Sequence, residues 1–446
     1  MRPLRISGLL FGLCTLASPL WPASPTSPSA AVPPPPEFFP VWDNPADDGV
    51  LYYHIPQLLV TRSGVLLACA EARHSHGDGV QVDIVLRRSL DRGRTWSTSH
   101  VLERAQAREN YVLPVLIQDR RSGTIFFHCA LRDEGIDDLT TENFYRTSED
   151  DGATWSPRVG ITPQLVGADR ALQDAIRTGT AGPEFAGEDA ALYGRGLFFA
   201  GPGRPVQLSG SHPTHPHRLA IPMLVIKDRN FAQRNRRGYG NALLASDDGG
   251  KHWTVAGITP IGDLAASEPS LLELPDGRLL LNTRETPGRA FLAAPAGRTR
   301  SVSSNGGQSW SRPVPDSSGI PAYHETHSGL FRLSDPRTDR AGVSRVLFSF
   351  PAGPKRNGGT VLLSYDDHQS WPVSKRLVDG AFGYSNMDLL PDGTVVLIYE
   401  NGSGTSASTP SRITLVRFTL EWLTDARDSL STGPSSPAPS RSAGSR

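Results

Sequence analysis

Five copies of one short pattern constrain this chain more than any other feature. Ser89 to Trp96 reads SLDRGRTW, and the pattern returns as SEDDGATW (148–155), SDDGGKHW (246–253), SSNGGQSW (303–310) and SYDDHQSW (364–371). The shared frame is Ser-x-Asp-x-Gly-x-Thr/Ser-Trp. Its tryptophans lie 59, 98, 57 and 61 residues apart, so the unit is about 60 residues and the one long interval holds an insertion. Each copy suits a tight hairpin turn: the Asp or Asn can bond the turn's own backbone, Gly accepts a positive φ, and Trp plugs down between sheets. A repeat of this period built from four short strands and arranged about an axis is a propeller blade. Residues 37–425 divided by the period give about six blades, the last without a box. The expected fold is therefore an all-β, six-bladed β-propeller of four-stranded antiparallel blades. The boxes themselves tell the fold and not the chemistry.

A second repeat locates the chemistry. SEPSLLELPDGRLLLNTRE (267–285) and YSNMDLLPDGTVVLIYEN (384–401) both read as hairpins around Pro-Asp-Gly with apolar alternation on either side. In the first, Glu268 stands eight residues before Asp276 and Arg284 eight after it, which makes them face each other across the open end of the hairpin. In the second, Tyr384 stands eight residues before Asp392. HIPQLLVTRSGVLLA is a looser copy, with His54 ten residues before the turn glycine Gly64, against nine for Glu268 and Gly277. If these hairpins are the inner strands of their blades, Glu268, Arg284, Tyr384 and His54 meet at one mouth of the central channel.

The length, 446 residues, fits two or three ordinary domains or one large all-β domain, and the repeat favours the latter. With 45 basic and 45 acidic residues the chain offers no electrostatic case for nucleic acid or a membrane surface. The N-terminus, MRPLRISGLLFGLCTLASPLWPAS, has two arginines, an apolar run from about Ile6 to Leu20 and then small residues, the pattern of a secretory signal peptide. Residues 1–31 are assigned to it, 32–48 to a Pro-rich linker, 49–425 to the propeller and 426–446 to a disordered Ser/Pro-rich tail. The expected location is secreted or periplasmic. Cys14 follows Leu13 rather than a small residue, so it does not read as a lipidation site. Cys69 and Cys129 lie in apolar strand-like runs, where buried free thiols are commoner than a disulfide. No segment after the first is long and apolar enough to span a bilayer.

These motifs resemble the sialidase superfamily of six-bladed propellers, bacterial exo-α-sialidases especially, and the likeness covers nearly all of 50–425. The five boxes match the family's Asp boxes. The resemblance implies Tyr384, in GYSNMDLLPDG, as the nucleophile and Glu268 as its base. It implies Arg284 and Arg356, the latter in KRNGGTVLLSYDD, as carboxylate grips, and Arg73 of the EAR run as a contact to a ring hydroxyl. The acid/base aspartate falls in RHSHGDGVQVDIVLRRS on Asp78, with Asp83 as second choice. Such a set suits sialic acid, whose anomeric carboxylate repels a carboxylate nucleophile but not a phenol. A phenol needs a base at neutral pH, and guanidinium binds carboxylates better than ammonium does.

The chain also departs from that family. The residue before Ile-Pro is the first arginine of the family's triad; here it is His54, which the resemblance still places as a substrate contact although imidazole cannot supply a bidentate fork. Leu113, in NYVLPVLIQD, stands where a polar residue is common. Three readings remain: a sialidase-type retaining exo-glycosidase, a propeller glycosidase for a different and less acidic sugar, and a non-catalytic carbohydrate-binding propeller. The expected partners are sialylated or related glycans, with no nucleic acid and a monomeric chain. No cofactor fingerprint or P-loop is present, and no metal is assigned: His74, His76 and Asp78, and likewise His212, His215 and His217, read as polar loops. The basic run KDRNFAQRNRR (227–237) reads as a solvated loop of the insertion-bearing stretch.

Overall fold

The computed structural model describes residues 32–43, 49–75, 81–106, 109–133, 140–194, 196–226, 238–262, 264–285, 297–321, 326–353, 356–402 and 412–430. Apart from Val32, these belong to one compact unit, Pro33–Arg446. The residues assigned to a signal peptide lie outside them, as does the run 227–237.

The fold is an all-β propeller, and among the described residues its strands form five sheets. Four sheets stand as separate blades rather than the six expected. The fifth has eight strands, from Tyr52–Val60 to Val159–Gly160. It is continuous because two antiparallel halves are joined by a single parallel bridge, Val82 to Asn110, where neighbouring strands approach each other. Along every sheet the strands alternate or run apolar toward the sheet-to-sheet layers, as a stack buried on both faces requires.

The boxes weld these layers. In the first, the Gly93 amide donates to Ser89 Oγ at 2.8 Å, Ser89 Oγ donates to Asp91 Oδ1 at 2.8 Å, and Asp91 Oδ2 accepts from Thr95 Oγ1 at 2.7 Å. Similar Ser-to-Asp or Ser-to-Asn bonds close the other four. These bonds hold the Asp91 carboxyl down at about 2, outweighing the opposing effect of its partial burial. In the third box two things favour glycine at this position. Gly250 has φ +74 in its neighbour Gly249 and +87 itself, and a side chain on it would overlap the Phe126 ring of the adjacent sheet. Trp253 meets that same ring edge-on at 5.5 Å. The fifth box carries His368 at φ 76 instead, and its ring reaches across to Asn282 Nδ2 at 3.2 Å.

Two segments differ from expectation. The presumed linker supplies a strand, Glu37–Trp42, which pairs antiparallel with Arg412–Phe418 as the outermost strand of the last sheet. Pro40 is tolerated there because an edge strand can leave an N–H unpaired. Trp42 stacks on Tyr53 at 5.2 Å and bonds Ser99 Oγ at 2.9 Å, which locks the strand down. At the other end, order extends past 426: Asp428 takes two 2.7 Å bonds from Arg345 and one of 2.9 Å from Tyr365. The long interval holds a helix, Thr162–Thr178, with Leu165 buried in one core cluster with Phe198 and Val225. Among the described residues, no helix is long and apolar enough to cross a membrane. Cys69 and Cys129 are buried free thiols.

Candidate active site

The inner strands begin at one mouth of the channel, and three of them are kinked there. Register slips between His54 and Gln57, between Val112 and Val115, and between Ala266 and Pro269. Each slip falls at a residue followed by proline, which cannot continue the ladder. Ile55 and Leu113 sit at φ 51 and 52, a conformation most side chains avoid and a β-branched one especially. Two fully buried carboxylates hold these kinks. Glu400 accepts the Ile55 amide at 2.8 Å, and Glu71 accepts the Leu113 amide at 2.9 Å. Such bulges re-aim side chains, and here they line a cavity of about 340 Å³.

Within it, the Tyr384 hydroxyl donates to Glu268 Oε1 at 2.5 Å. Arg284 touches both, reaching Glu268 Oε2 at 3.0 Å and the Tyr384 oxygen at 3.1 Å. Burial pushes the Tyr384 phenol well above its ordinary value, and the Glu268 charge pushes the same way; Arg284 and Arg356 oppose them. The resting phenol is therefore protonated, with its proton aimed at a carboxylate. Arg356, itself at φ 55, lies 5.4 Å over the Tyr384 ring. His327, buried behind the site, tilts against that ring at 6.1 Å. Burial, then Arg298 and Arg284, keep His327 neutral by depressing its basicity.

His54 stands at the cavity with its ring edge-on to Tyr384 at 5.1 Å. Its Nδ1 lies 2.5 Å from Glu400 Oε1, a close contact without hydrogen-bond alignment. Burial alone would raise the Glu400 carboxyl, but His54, Arg356 and the Ile55 amide together bring it below its ordinary value. Glu400 Oε2 also accepts the Tyr384 amide at 3.1 Å. Arg73 lines the cavity too, but its guanidinium is bound to Glu71 at 2.8 and 2.5 Å.

Of the residues expected from sequence, His54, Arg73, Glu268, Arg284, Arg356 and Tyr384 come together in this cavity. Asp78 lies outside the described residues. Asp83 is turned away, accepting the Ala105 amide at 2.7 Å and contacting His74 and Arg104. His54 and Glu268 are not strict equivalents, since Ile55 and Glu268 are the residues that precede proline. Sequence reasoning passed over Glu71, Asn110, Arg132, Tyr239 and Glu400. The signal for two of them is plain in hindsight: Glu71, Arg284 and Glu400 each stand seven residues after a turn glycine, Gly64, Gly277 and Gly393. Four arginines and two glutamates line the cavity, a surplus of positive charge suited to an anionic ligand. No cluster of metal-ligating side chains exists among the described residues.

A protein-family profile described as BNR repeat-like domain matches residues 64–397. The chain belongs to the sialidase superfamily with BNR repeats. A sialidase of Micromonospora viridifaciens is 30% identical over 423 residues, covering 90% of this chain and 57% of that protein. A sialidase of Bacteroides fragilis is 24% identical, covering 80% of this chain and 61% of its own length. The chain thus spans about three-fifths of these superfamily relatives. In structure it is similar to the intramolecular trans-sialidase of Ruminococcus gnavus (TM-score 0.64, 17% identity, 86% of this chain and 98% of that one). It is also similar to the Trypanosoma rangeli sialidase in complex with sialic acid (TM-score 0.62, 17% identity, 89% and 61%). At these identities the structural likeness speaks for the fold.

Proposed function

We propose that this chain is a retaining exo-glycosidase of the sialidase type, hydrolysing terminal sialic acid or a related nonulosonic acid from glycoconjugates. The observation that carries the reading is the Tyr384 hydroxyl 2.5 Å from Glu268, with Arg284 in contact with both. Glu268 receives the phenol proton as the oxygen attacks the anomeric carbon, and Arg284 stabilises the negative charge that develops on the phenol oxygen as its proton leaves. A glycosyl-tyrosine intermediate forms, water then breaks it, and two inversions give net retention. Asp78, by resemblance, protonates the leaving oxygen and later activates the water. Arg284 and Arg356 bind the sugar carboxylate, and His54 and Arg73 complete the binding wall. The eight-stranded sheet counts as two blades, which makes the propeller six-bladed, and residues 1–31 direct export.

The test is release of 4-methylumbelliferone from its sialic acid α-glycoside. Turnover lost in Tyr384→Phe supports the reading, whereas no release by the folded wild-type protein overturns it. The His54 contact with Glu400 favours one second reading, a glycosidase for a less acidic sugar, because it turns one imidazole nitrogen away from any substrate. Turnover of an uncharged aryl glycoside in preference to the sialoside would establish that alternative.

A further inference from the structure

The channel has a second mouth, at the far ends of the same inner strands. The cavity around Tyr384 is lined by strand starts, whereas a separate cavity of about 500 Å³ is lined by strand ends, among them Leu59, Gln118 and Leu389. At the rise of an extended strand the two lie roughly 15–25 Å apart. Residues 201–205, GPGRP, cross between them. Pro202 O accepts from Gln57 Nε2 at 2.8 Å and from Asn386 Nδ2 at 3.0 Å, two buried side chains that stand between the ends of their own strands. Gly203 is pressed so closely on the strand Ala266–Glu273 that a Cβ there would lie 2.2 Å from Pro269 O. This crossing delivers Arg204 to the second mouth. There its Nη2 donates to Asp388 Oδ1 at 3.0 Å and its guanidinium lies 5.2 Å over the Phe331 ring, while its buried Nε has no acceptor among the described residues.

Arg120 borders the same cavity, and among the described residues its guanidinium makes one hydrogen bond, from Nη2 to Val60 O at 3.1 Å. Partial burial works hardest against its charge, Asp388 supports it and Arg204 opposes it, which leaves it below its ordinary basicity. Asp388 is already engaged: Oδ2 accepts the Val60 amide at 2.8 Å, and Oδ1 accepts the Leu389 amide at 2.9 Å as well as Arg204. Arg332, a third arginine on the wall, is matched by Asp367 at 2.9 Å. Two guanidiniums thus face one carboxylate, with more donors than acceptors.

We propose that this second mouth is a binding site for a small organic acid carrying one carboxylate. The single unmatched positive charge suits a monoanion rather than a phosphate dianion, and two oxygens in one plane suit a guanidinium fork. Leu59, Leu116 and Phe331 offer an apolar wall to the body of the ligand, and the volume is that of a small-molecule site. A carboxylate between Arg120 and Arg204 also relieves their repulsion. The site is remote from Tyr384 and does not depend on the sialidase-type reading.

Calorimetric titration of the full chain with two carboxylate probes, glucuronate and benzoate, tests this and tells a sugar acid from an apolar one. At least one should bind saturably, whereas glucose and benzyl alcohol, which lack the charge, should not. Arg120→Gln and Arg204→Gln should each weaken that binding by roughly tenfold or more, the loss of one charge-assisted contact. Arg120→Lys keeps the charge without the fork and should fall between the wild type and Arg120→Gln. Arg284→Gln, at the other mouth, should leave the affinity unchanged. Binding of neither carboxylate overturns the proposal. Binding that survives Arg120→Gln but is lost in Arg284→Gln also overturns it, because the ligand then sits beside Tyr384. Inorganic phosphate bound more tightly than both probes overturns the choice of a carboxylate. If Arg204→Gln fails to fold with Asp388 left unpaired, Arg120→Gln decides, since that side chain is joined only to Val60 O among the described residues.

Discussion

The hairpins 267–285 and 384–401 are nearly the same piece of backbone carrying opposite chemistry. At the turns, the Gly277 amide bonds Leu274 O at 2.9 Å and the Gly393 amide bonds Leu390 O at 2.9 Å. Asp276 and Asp392 each accept an amide two residues on at 3.0 Å, and both glycines have φ 84. At the open ends, the first hairpin offers Glu268 and Arg284, the second Tyr384 and Glu400. The first pair is internal, guanidinium against carboxylate. The second is divided: Tyr384 is reached by the first hairpin, and Glu400 reaches out to His54 and Ile55. The scaffold thus fixes where a side chain arrives, and residue identity alone decides whether that place is a nucleophile, a base or a buried anchor.

The contrast can be broken most severely at the start of the second hairpin. Tyr384→Phe keeps the ring and removes the attacking oxygen, and kcat/KM on an aryl sialoside should fall by at least roughly 10⁴-fold. Glu268→Gln leaves the phenol in place without its base, with an expected loss of about 10²–10⁴-fold in kcat and little change in thermal stability. Glu400→Gln acts through stability instead. Its carboxyl is lower in the folded protein than in the unfolded chain, so its contribution is present above about pH 4.3 and is lost as pH falls through the folded value. Urea titrations should show the variant weaker by about 1–3 kcal/mol at neutral pH and less sensitive to acid than the wild type. The smallest effects belong to the turns: Asp276→Ala and Asp392→Ala should each lower stability by about 1 kcal/mol, equally and with no change in KM. Unequal losses would show that the two turns are not interchangeable.

The boxes made the propeller legible because turn chemistry is local: Ser89, Asp91, Gly93 and Thr95 bond within their own seven residues. Glu268, Arg284 and Tyr384 were legible because the hairpin spacing is symmetrical about its turn. Glu400 obeys that same spacing yet was passed over, since a lone carboxylate in a strand reads as solvent-facing until the neighbouring sheet is present to bury it. The strand Glu37–Trp42 was hidden for a related reason. Its partner, Arg412–Phe418, lies at the opposite end of the chain, and a proline-rich approach masks the short apolar alternation. The bridge between Val82 and Asn110 has no sequence signal at all; it reflects how two sheets meet.

That terminal strand has a consequence for biogenesis. The last sheet needs one strand made among the first residues of the chain and three made among the last, so the ring cannot shut until synthesis has passed Phe418. Until then Val395–Asn401 has no outer neighbour and Glu37–Trp42 has nothing to pair with. A nascent chain stalled or clipped before that point carries two adhesive edges, ready to join another chain's sheet rather than its own. Completion of the ring is in effect a check that everything from Glu37 to Phe418 has been made.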